Sequence, residues 1–480
     1  MTKKWWAGLG AALAVTAFPL SAYAAEAEAP TADMLQNGVN MAFVFLAAVL
    51  VIFMQAGFAL LEAGSVRMKN AGHVAGKTIL SFGVASLAFW AFGFGFGFGN
   101  GNGFFGLSGF FFGGEGMSSS FDSVNGFGLP VSLMFLFHLA FAAVSLAIAG
   151  GGLAERAKLS VYIVFGAIFT IIIYPVIAHW VWGGGWLGSL GMQDFAGSTV
   201  VHLTGATAAL VATIMLKPRL GKYGKDGKPN SILGHNQVLS VLGVIILWVG
   251  WFGFNPGSAL TVMDGFFGYV ALTTNIAAAA GGVAALLISW VVFGKADIPS
   301  MLNGVLAALV AITGSCAFVA PWAAVVIGLV AGVLTFFTAQ WFEKAGVDDP
   351  VYAFSVHGIA GIWGALCTGF FAVPELSSAK GLGQAGLFYG GGLHQLGVQA
   401  LGVIGTLAFV AAVTFVVFFV LKSTMGIRVT EEEEMMGLDI SEHGNYGYPE
   451  QMKMAGDTTF HGPTNPDPNG KRTTANPNLT

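Results

Sequence analysis

Two histidines occur in segments that repeat the same residue pattern, and both segments lie in strongly apolar parts of the chain. The segment DFAGSTVVH runs from Asp194 to His202, and DPVYAFSVH runs from Asp349 to His357. Each begins with Asp and ends with Val-His at the same spacing. A neutral imidazole carries one hydrogen-bond donor and one acceptor, and it exchanges protons near neutral pH. Because polar groups are costly to bury without partners, this pair is the first candidate site.

The composition places these histidines in a membrane protein. Of the 480 residues, 55% are hydrophobic and 9% are charged, and the mean hydropathy is +0.74. A soluble domain carries about 25% charged residues, so this chain cannot cover a water-facing surface. The net charge of -4 gives no basic surface for nucleic acid. The two cysteines, Cys316 and Cys367, do not make a disulfide framework.

The N-terminus has the pattern of a secretory signal peptide. Lys3 and Lys4 precede an apolar run over residues 5–20, and Ala-Tyr-Ala at 22–24 is a small-x-small cleavage pattern. We expect residues 1–24 to be removed and residues 25–38 to form a periplasmic segment. A short membrane anchor is the alternative, but the apolar run is short and a polar stretch follows it.

Hydropathy predicts eleven further segments long enough to cross a bilayer as helices. They are Val39–Leu61, Val74–Phe96, Pro130–Leu153, Leu159–Trp182, Phe195–Leu216, Gln237–Phe254, Phe267–Phe293, Met301–Phe318, Trp322–Trp341, Val351–Phe371 and Leu393–Leu421. The predicted fold class is an all-α integral membrane protein, with a membrane domain over residues 39–421. A polar C-terminal tail, residues 422–480, follows it.

Lys and Arg are concentrated in the odd-numbered loops between these segments. The first loop contains Arg67 and Lys69, and the fifth contains five basic residues between Lys217 and Lys228. The even-numbered loops, including a Gly/Phe-rich loop near residues 97–128, contain only Lys380. By the positive-inside rule the odd loops are cytoplasmic. This predicts an inner (plasma) membrane protein with its mature N-terminus outside and its tail in the cytoplasm.

The two histidine segments open the fifth and tenth spans, which are equivalent positions if each half has five spans. An odd number of spans per half reverses the second half, which gives a five-plus-five inverted repeat and one extra helix. His202 and His357 each lie eight residues from the Asp of their segment, or about 12 Å at 1.5 Å per residue. In a core about 30 Å thick, both rings reach the midplane. Asp194 and Asp349 would cap their helices.

The motifs around these residues resemble the ammonium transporter family (Amt/Mep/Rh), and its ammonium-transporter branch in particular. The resemblance extends from about Gln36 to Gly444. It is carried by QAGFALLEAGSVRMKN (55–70), LAER (153–156), HWVWGGGWL (179–187), DFAGSTVVH (194–202), GWFGFNPGS (250–258), DDPVYAFSVHG (348–358) and GLDISEHG (437–444). It implies eleven spans in two inverted halves and a homotrimer with one pore per subunit. It implies neither enzymatic activity nor a cofactor.

The resemblance also implies roles for individual side chains along one pathway. They are Phe137, Phe141, Trp182 and Ser258 in an outer site that recruits the cation, Phe141 and Phe254 in a gate, Trp251, His202 and His357 in the pore, and Asp194 as a support of the recruitment site. One position departs from the family pattern, because His138 stands where bacterial members carry Gln. This leaves the pH response of the outer vestibule open.

The resemblance and the chemistry together predict a transporter that recruits ammonium, deprotonates it and conducts ammonia past the two histidines, with net charge movement. Methylammonium is a second expected substrate, and a PII-type regulatory protein at the cytoplasmic face is an expected partner. The alternatives are an ammonium sensor, an Rh-type neutral ammonia channel and a haem protein with transmembrane histidines. The haem alternative leaves the GWFGFNPGS motif and the paired phenylalanines unexplained.

Overall fold

The computed structural model describes residues 31–450, and the predicted signal peptide lies outside this range. The described residues are helical, and they contain isolated β-bridges but no strand. Eleven of their helices are long and apolar enough to cross a membrane, which confirms the predicted number. These are α1 (Ala32–Ser65), α2 (Met68–Phe98), α3 (Val131–Gly151), α4 (Leu159–Ser189), α5 (Ser198–Leu216), α6 (Gln237–Ala259), α7 (Phe266–Phe293), α8 (Ile298–Ser315), α9 (Pro321–Lys344), α10 (Phe354–Phe371) and α11 (His394–Thr424).

The first helix begins seven residues before the predicted span. Thr31 caps α1 by accepting a hydrogen bond from the backbone N–H of Met34 at 3.2 Å. Residues 32–38, expected in an N-terminal segment outside the membrane domain, are therefore the first two turns of α1. Hydropathy does not reveal these two turns because they contain Asp33, Gln36 and Asn37.

The packing follows two inverted halves, as predicted. Helix α1 lies against α6, and α5 lies against α10, so the first and fifth helices of each half meet their counterparts. Helix α3 packs on α5 as α8 packs on α10. The extra helix α11 packs against both α5 and α10. The two segments that carry the histidines are thus the central helices of the molecule.

Small residues allow α1 and α6 to approach each other closely. A Cβ atom added to Gly57 would lie 2.7 Å from Cγ of Leu247, and one added to Gly243 would lie 2.4 Å from the backbone nitrogen of Leu61. No side chain fits at such distances. Close approach of this kind drives helix association in a membrane, where the hydrophobic effect between helices is weak.

An ionic cluster joins the loops on the face that carries the odd-numbered loops, here called the basic face. Arg219 pairs with both Glu155 and Asp348, and its distance to Oδ1 of Asp348 is 2.7 Å. Burial alone would raise the pKa of Glu155, but Arg219 and Arg67 lower it to about 2. Burial would likewise raise the pKa of Asp348, and Arg219 lowers it to about 2. Both ionised carboxylates therefore stabilise the fold at pH values above the usual carboxyl pKa of about 4. This stabilisation is lost as the pH falls towards 2.

The C-terminal tail packs on the same face. Its two short helices, α12 (Glu431–Met436) and α13 (Leu438–His443), lie beside the start of α2. The Asp439 carboxylate accepts hydrogen bonds from the backbone N–H groups of Gly72 and His73, at 3.1 and 2.7 Å. It therefore caps a helix start that has no acidic residue of its own. The GLDISEHG motif is thus a docking segment.

We expect Gly243→Leu to lower the thermal stability of the protein, because the new side chain would overlap the backbone of α1. Overpacking of a core typically costs about 1–3 kcal/mol. The matched control is Gly397→Leu in α11, where nothing lies within 4 Å of an added Cβ. Thermal unfolding in detergent would measure the difference, and equal melting temperatures of the two variants would contradict this account of the packing.

Candidate functional site

The two histidines of the repeated segments, His202 and His357, lie in π-helical turns at the beginning of their spanning helices. His202 belongs to the turn Ser198–Leu203, and His357 belongs to the turn Phe354–Ile359. Such turns are rare and occur frequently at functional sites. The two halves therefore share a backbone irregularity at the same position, in addition to the Asp and His that the sequence repeats.

Asp194 holds the first of these turns in place. Its carboxylate accepts hydrogen bonds from three backbone N–H groups, those of Gly197, Thr199 and Val200, at 3.1, 2.9 and 2.9 Å. Its backbone carbonyl accepts a hydrogen bond from the indole N–H of Trp182 at 2.8 Å. One residue thus fixes both the turn that carries His202 and a side chain of the predicted outer site.

Asp349 occupies the matching position before the second turn. Its carboxylate accepts a hydrogen bond from the backbone N–H of Phe354 at 2.9 Å. The capping geometry agrees with the structural role expected from the sequence.

The two imidazoles face each other inside the molecule. The Nδ1 atoms of His202 and His357 are 3.3 Å apart, the ring centroids are 5.3 Å apart and the ring planes differ by 15°. His202 is fully buried, and His357 is 6% exposed. A hydrogen bond between two Nδ1 atoms requires one to donate and the other to accept. The two neutral rings are therefore opposite tautomers, and a second extra proton would place two N–H donors against each other.

The other nitrogen of His202 lacks a partner. Its Nε2 atom is buried and makes no hydrogen bond with any of residues 31–450. Leaving a buried polar atom unpaired costs about 1–3 kcal/mol. This atom therefore marks a position where a small hydrogen-bonding molecule would be stabilised.

Trp251 forms a wall beside this position. Its ring stacks on His202 with a centroid distance of 5.2 Å and an interplanar angle of 14°. The indole N–H donates to Oγ1 of Thr313 at 2.8 Å, so the ring face, rather than the N–H group, is turned to the histidine. Phe58 lies 6.4 Å from His357. Phe58 lies in the motif of residues 55–70, but the sequence analysis gave a role neither to it nor to Thr313, because both reach the site from distant helices.

Two phenyl rings stack on each other next to His202 and Trp251. The rings of Phe141 and Phe254 stack with a centroid distance of 4.1 Å and an angle of 19°. The Phe254 ring lies 5.5 Å from that of His202. Carbon atoms in contact at about 3.5–4 Å leave no space for an ion or a water molecule between the rings.

The predicted outer site continues the same series of rings. Phe137 lies 4.6 Å from Phe141, and Trp182 lies 6.1 Å from Phe141. The Ser258 hydroxyl donates to the backbone carbonyl of Phe254 at 2.8 Å. Because its proton is used in this bond, the Ser258 oxygen offers only lone pairs, which suits a cation.

The residues with predicted roles therefore form one connected set. We call the series Phe137, Phe141, Phe254, His202 and His357 the ring column. None of these side chains carries a fixed charge. Within residues 31–450, no group of three or more His, Cys, Asp and Glu side chains could hold a metal ion.

Comparison with known proteins identifies the family. A statistical model of the Ammonium Transporter Family matches residues 42–448. The chain belongs to this family. It is 44% identical over 424 residues to the ammonium transporter Amt2 of Archaeoglobus fulgidus, with 86% of this chain and 88% of that protein covered. It is 38% identical over 417 residues to the ammonium transporter of Bacillus subtilis, with 85% and 98% covered.

Solved structures with the same fold include a sensor Amt protein and Mep2 of Candida albicans. A structure described as a sensor Amt protein is 38% identical, with a TM-score of 0.78, and covers 86% of this chain and 100% of its own. Mep2 of Candida albicans is 31% identical, with a TM-score of 0.76 and coverage of 88% and 92%. These similarities confirm the predicted family and fold class.

We expect Asp194→Ala to reduce both thermal stability and ammonium uptake, because several N–H groups of the His202 turn would lose their acceptor. Loss of a cap of this kind costs about 0.5–2 kcal/mol. Asp194→Asn, which keeps an acceptor oxygen, should retain part of both properties. The control is Asp122→Ala, at an exposed position in the loop of residues 97–128. Unfolding in detergent and uptake by vesicles would be measured, and a stable, fully active Asp194→Ala variant would refute this role.

Proposed function

We propose that this member of the ammonium transporter family recruits ammonium beside Phe137, Trp182 and Ser258, deprotonates it, and conducts ammonia past His202 and His357. The released proton crosses the membrane separately, which gives net charge movement. The observation that carries the proposal is the order of the ring column. Aromatic rings come first, a closed phenyl pair follows, and an imidazole pair with an unpartnered nitrogen lies behind it.

The outer rings can hold a cation but cannot carry it through. Each aromatic face within about 6 Å of a cation contributes about 0.5–2 kcal/mol. The desolvation of a bare ion in an apolar pore costs far more than a few such contacts return. The contact between Phe141 and Phe254 excludes water, so an ion would have to pass without its hydration shell.

A neutral molecule avoids most of this cost. Ammonia loses only hydrogen bonds, and the opposite tautomers of His202 and His357 present both a donor and an acceptor along the path. K⁺ can also bind aromatic faces, but it has no proton to release and therefore cannot become neutral. The same step that lowers the barrier thus supplies selectivity.

The remaining features follow from the distribution of charge and from the family. We propose that the basic face is cytoplasmic, because it carries the Lys- and Arg-rich loops. The outer site then opens to the external side of the plasma membrane, and residues 1–24 act as the signal peptide. A homotrimer, a PII-type partner on the basic face and methylammonium as a second substrate are proposed from the family resemblance.

The first test replaces each imidazole of the pair. We expect His202→Ala and His357→Ala to abolish ammonium-driven current or to admit K⁺, because the pore would lose its donor and acceptor groups. The control is His394→Ala, an exposed histidine at the start of α11. Currents of proteoliposomes would be compared for ammonium, methylammonium and K⁺. Unchanged current and unchanged selectivity in both variants would refute the imidazole mechanism.

A sensor is the second candidate, because one similar structure is described as a sensor Amt protein. A pure sensor would bind ammonium in detergent but give neither current nor ammonia flux in proteoliposomes. An Rh-type channel would give flux, seen as a change of internal pH, without current. The same liposome preparation therefore separates all three functions.

A further inference from the structure

His138 is a buried titratable side chain that the proposed pathway does not use. It follows Phe137 in α3, and only 8% of its surface is exposed. Its Nδ1 atom is buried and has no hydrogen-bond partner within the described part of the chain. An unpaired nitrogen in such a place is costly, so it indicates a position where a guest would supply the missing hydrogen bond.

Aromatic rings surround the His138 ring on several sides. Centroid distances are 3.9 Å to Phe98, 5.7 Å to Phe137, 6.1 Å to Trp182 and 6.4 Å to Phe141. The last three belong to the proposed outer site. His138 therefore forms part of the wall of that site, on the outer side of the closed phenyl pair.

The rings that surround His138 carry no charge. Phe98 comes from α2 and Trp182 from α4, and neither titrates. Glu115 and Asp194, the carboxylates of the adjoining segments, face backbone N–H groups at the starts of α3 and α5. No neighbouring charge therefore offsets the desolvation of His138, which favours its neutral form.

We infer that neutral His138 accepts a hydrogen bond from ammonium in the outer site and thereby favours ammonium over K⁺. This inference rests on the proposed function and adds a specificity-determining residue to it. A neutral imidazole has one acceptor nitrogen. Ammonium can donate to that nitrogen, whereas K⁺ has no N–H group.

Two substitutions test the acceptor. His138→Gln keeps an acceptor oxygen, and His138→Leu removes the acceptor. The KM of ammonium-driven current would be measured in proteoliposomes of the full chain at neutral pH. Inhibition by K⁺ would be measured alongside. His394→Leu, at an exposed position on the same face, is the control.

In His138→Gln we expect the KM to stay close to the wild-type value, because the amide oxygen is also an acceptor. In His138→Leu it should be raised about tenfold or more, which is the loss expected for a hydrogen bond from a charged donor, and K⁺ should inhibit more strongly.

The outcomes separate this inference from the function on which it rests. Wild-type current with the wild-type KM and wild-type K⁺ inhibition in His138→Leu overturns the role of His138 and leaves the transport proposal standing. Absence of ammonium-driven current and of flux in the wild type overturns both. If the Leu variant does not fold, His138→Phe, which keeps an aromatic ring without an acceptor, decides in its place, because a wild-type KM in that variant overturns the inference.

Discussion

The contact between the Phe141 and Phe254 rings determines what the rest of the pathway must supply. With their centroids 4.1 Å apart, the rings leave no space for water. A solute that passes them gives up its hydration shell, which is prohibitive for an ion and tolerable for a small neutral base. In the proposed pathway, the residues outside this contact handle a cation and those inside it handle a neutral molecule. The position of the contact therefore defines where the proton must leave.

One residue fixes the positions of groups on both sides of this contact. The side chain of Asp194 fixes the turn that carries His202, and its backbone carbonyl fixes Trp182. A displacement of the outer site would therefore disturb the pore, and a displacement of the pore would disturb the outer site. This arrangement explains why a carboxylate that is occupied entirely by the backbone can be indispensable to a pathway that it does not line.

Much of the fold could be predicted from the sequence because its signals are local. Hydropathy gave the eleven spans, and the repeated Asp and His positions indicated the inverted halves. The start of α1 was misplaced because its first turns are polar. The π-helical turns, the contact between the two Nδ1 atoms and the docking of Asp439 on α2 had no local signal. The last two join residues that are 155 and 366 positions apart. Such contacts exist only once the helices have packed.

The hydrogen bond between His202 and His357 has a consequence for the symmetry of the molecule. The two halves repeat their helices, their carboxylates and their irregular turns, but a single hydrogen cannot be shared equally between two different rings. At any instant the histidine of one half donates and that of the other half accepts. The hydrogen bond therefore has a direction, although the two halves repeat the same backbone. A molecule that gives a proton to Nε2 of the donor ring and takes one from Nε2 of the other ring, while the shared hydrogen moves between the Nδ1 atoms, leaves the donor and the acceptor exchanged. The next molecule then finds the donor ring and the acceptor ring exchanged, unless the hydrogen returns to its first ring.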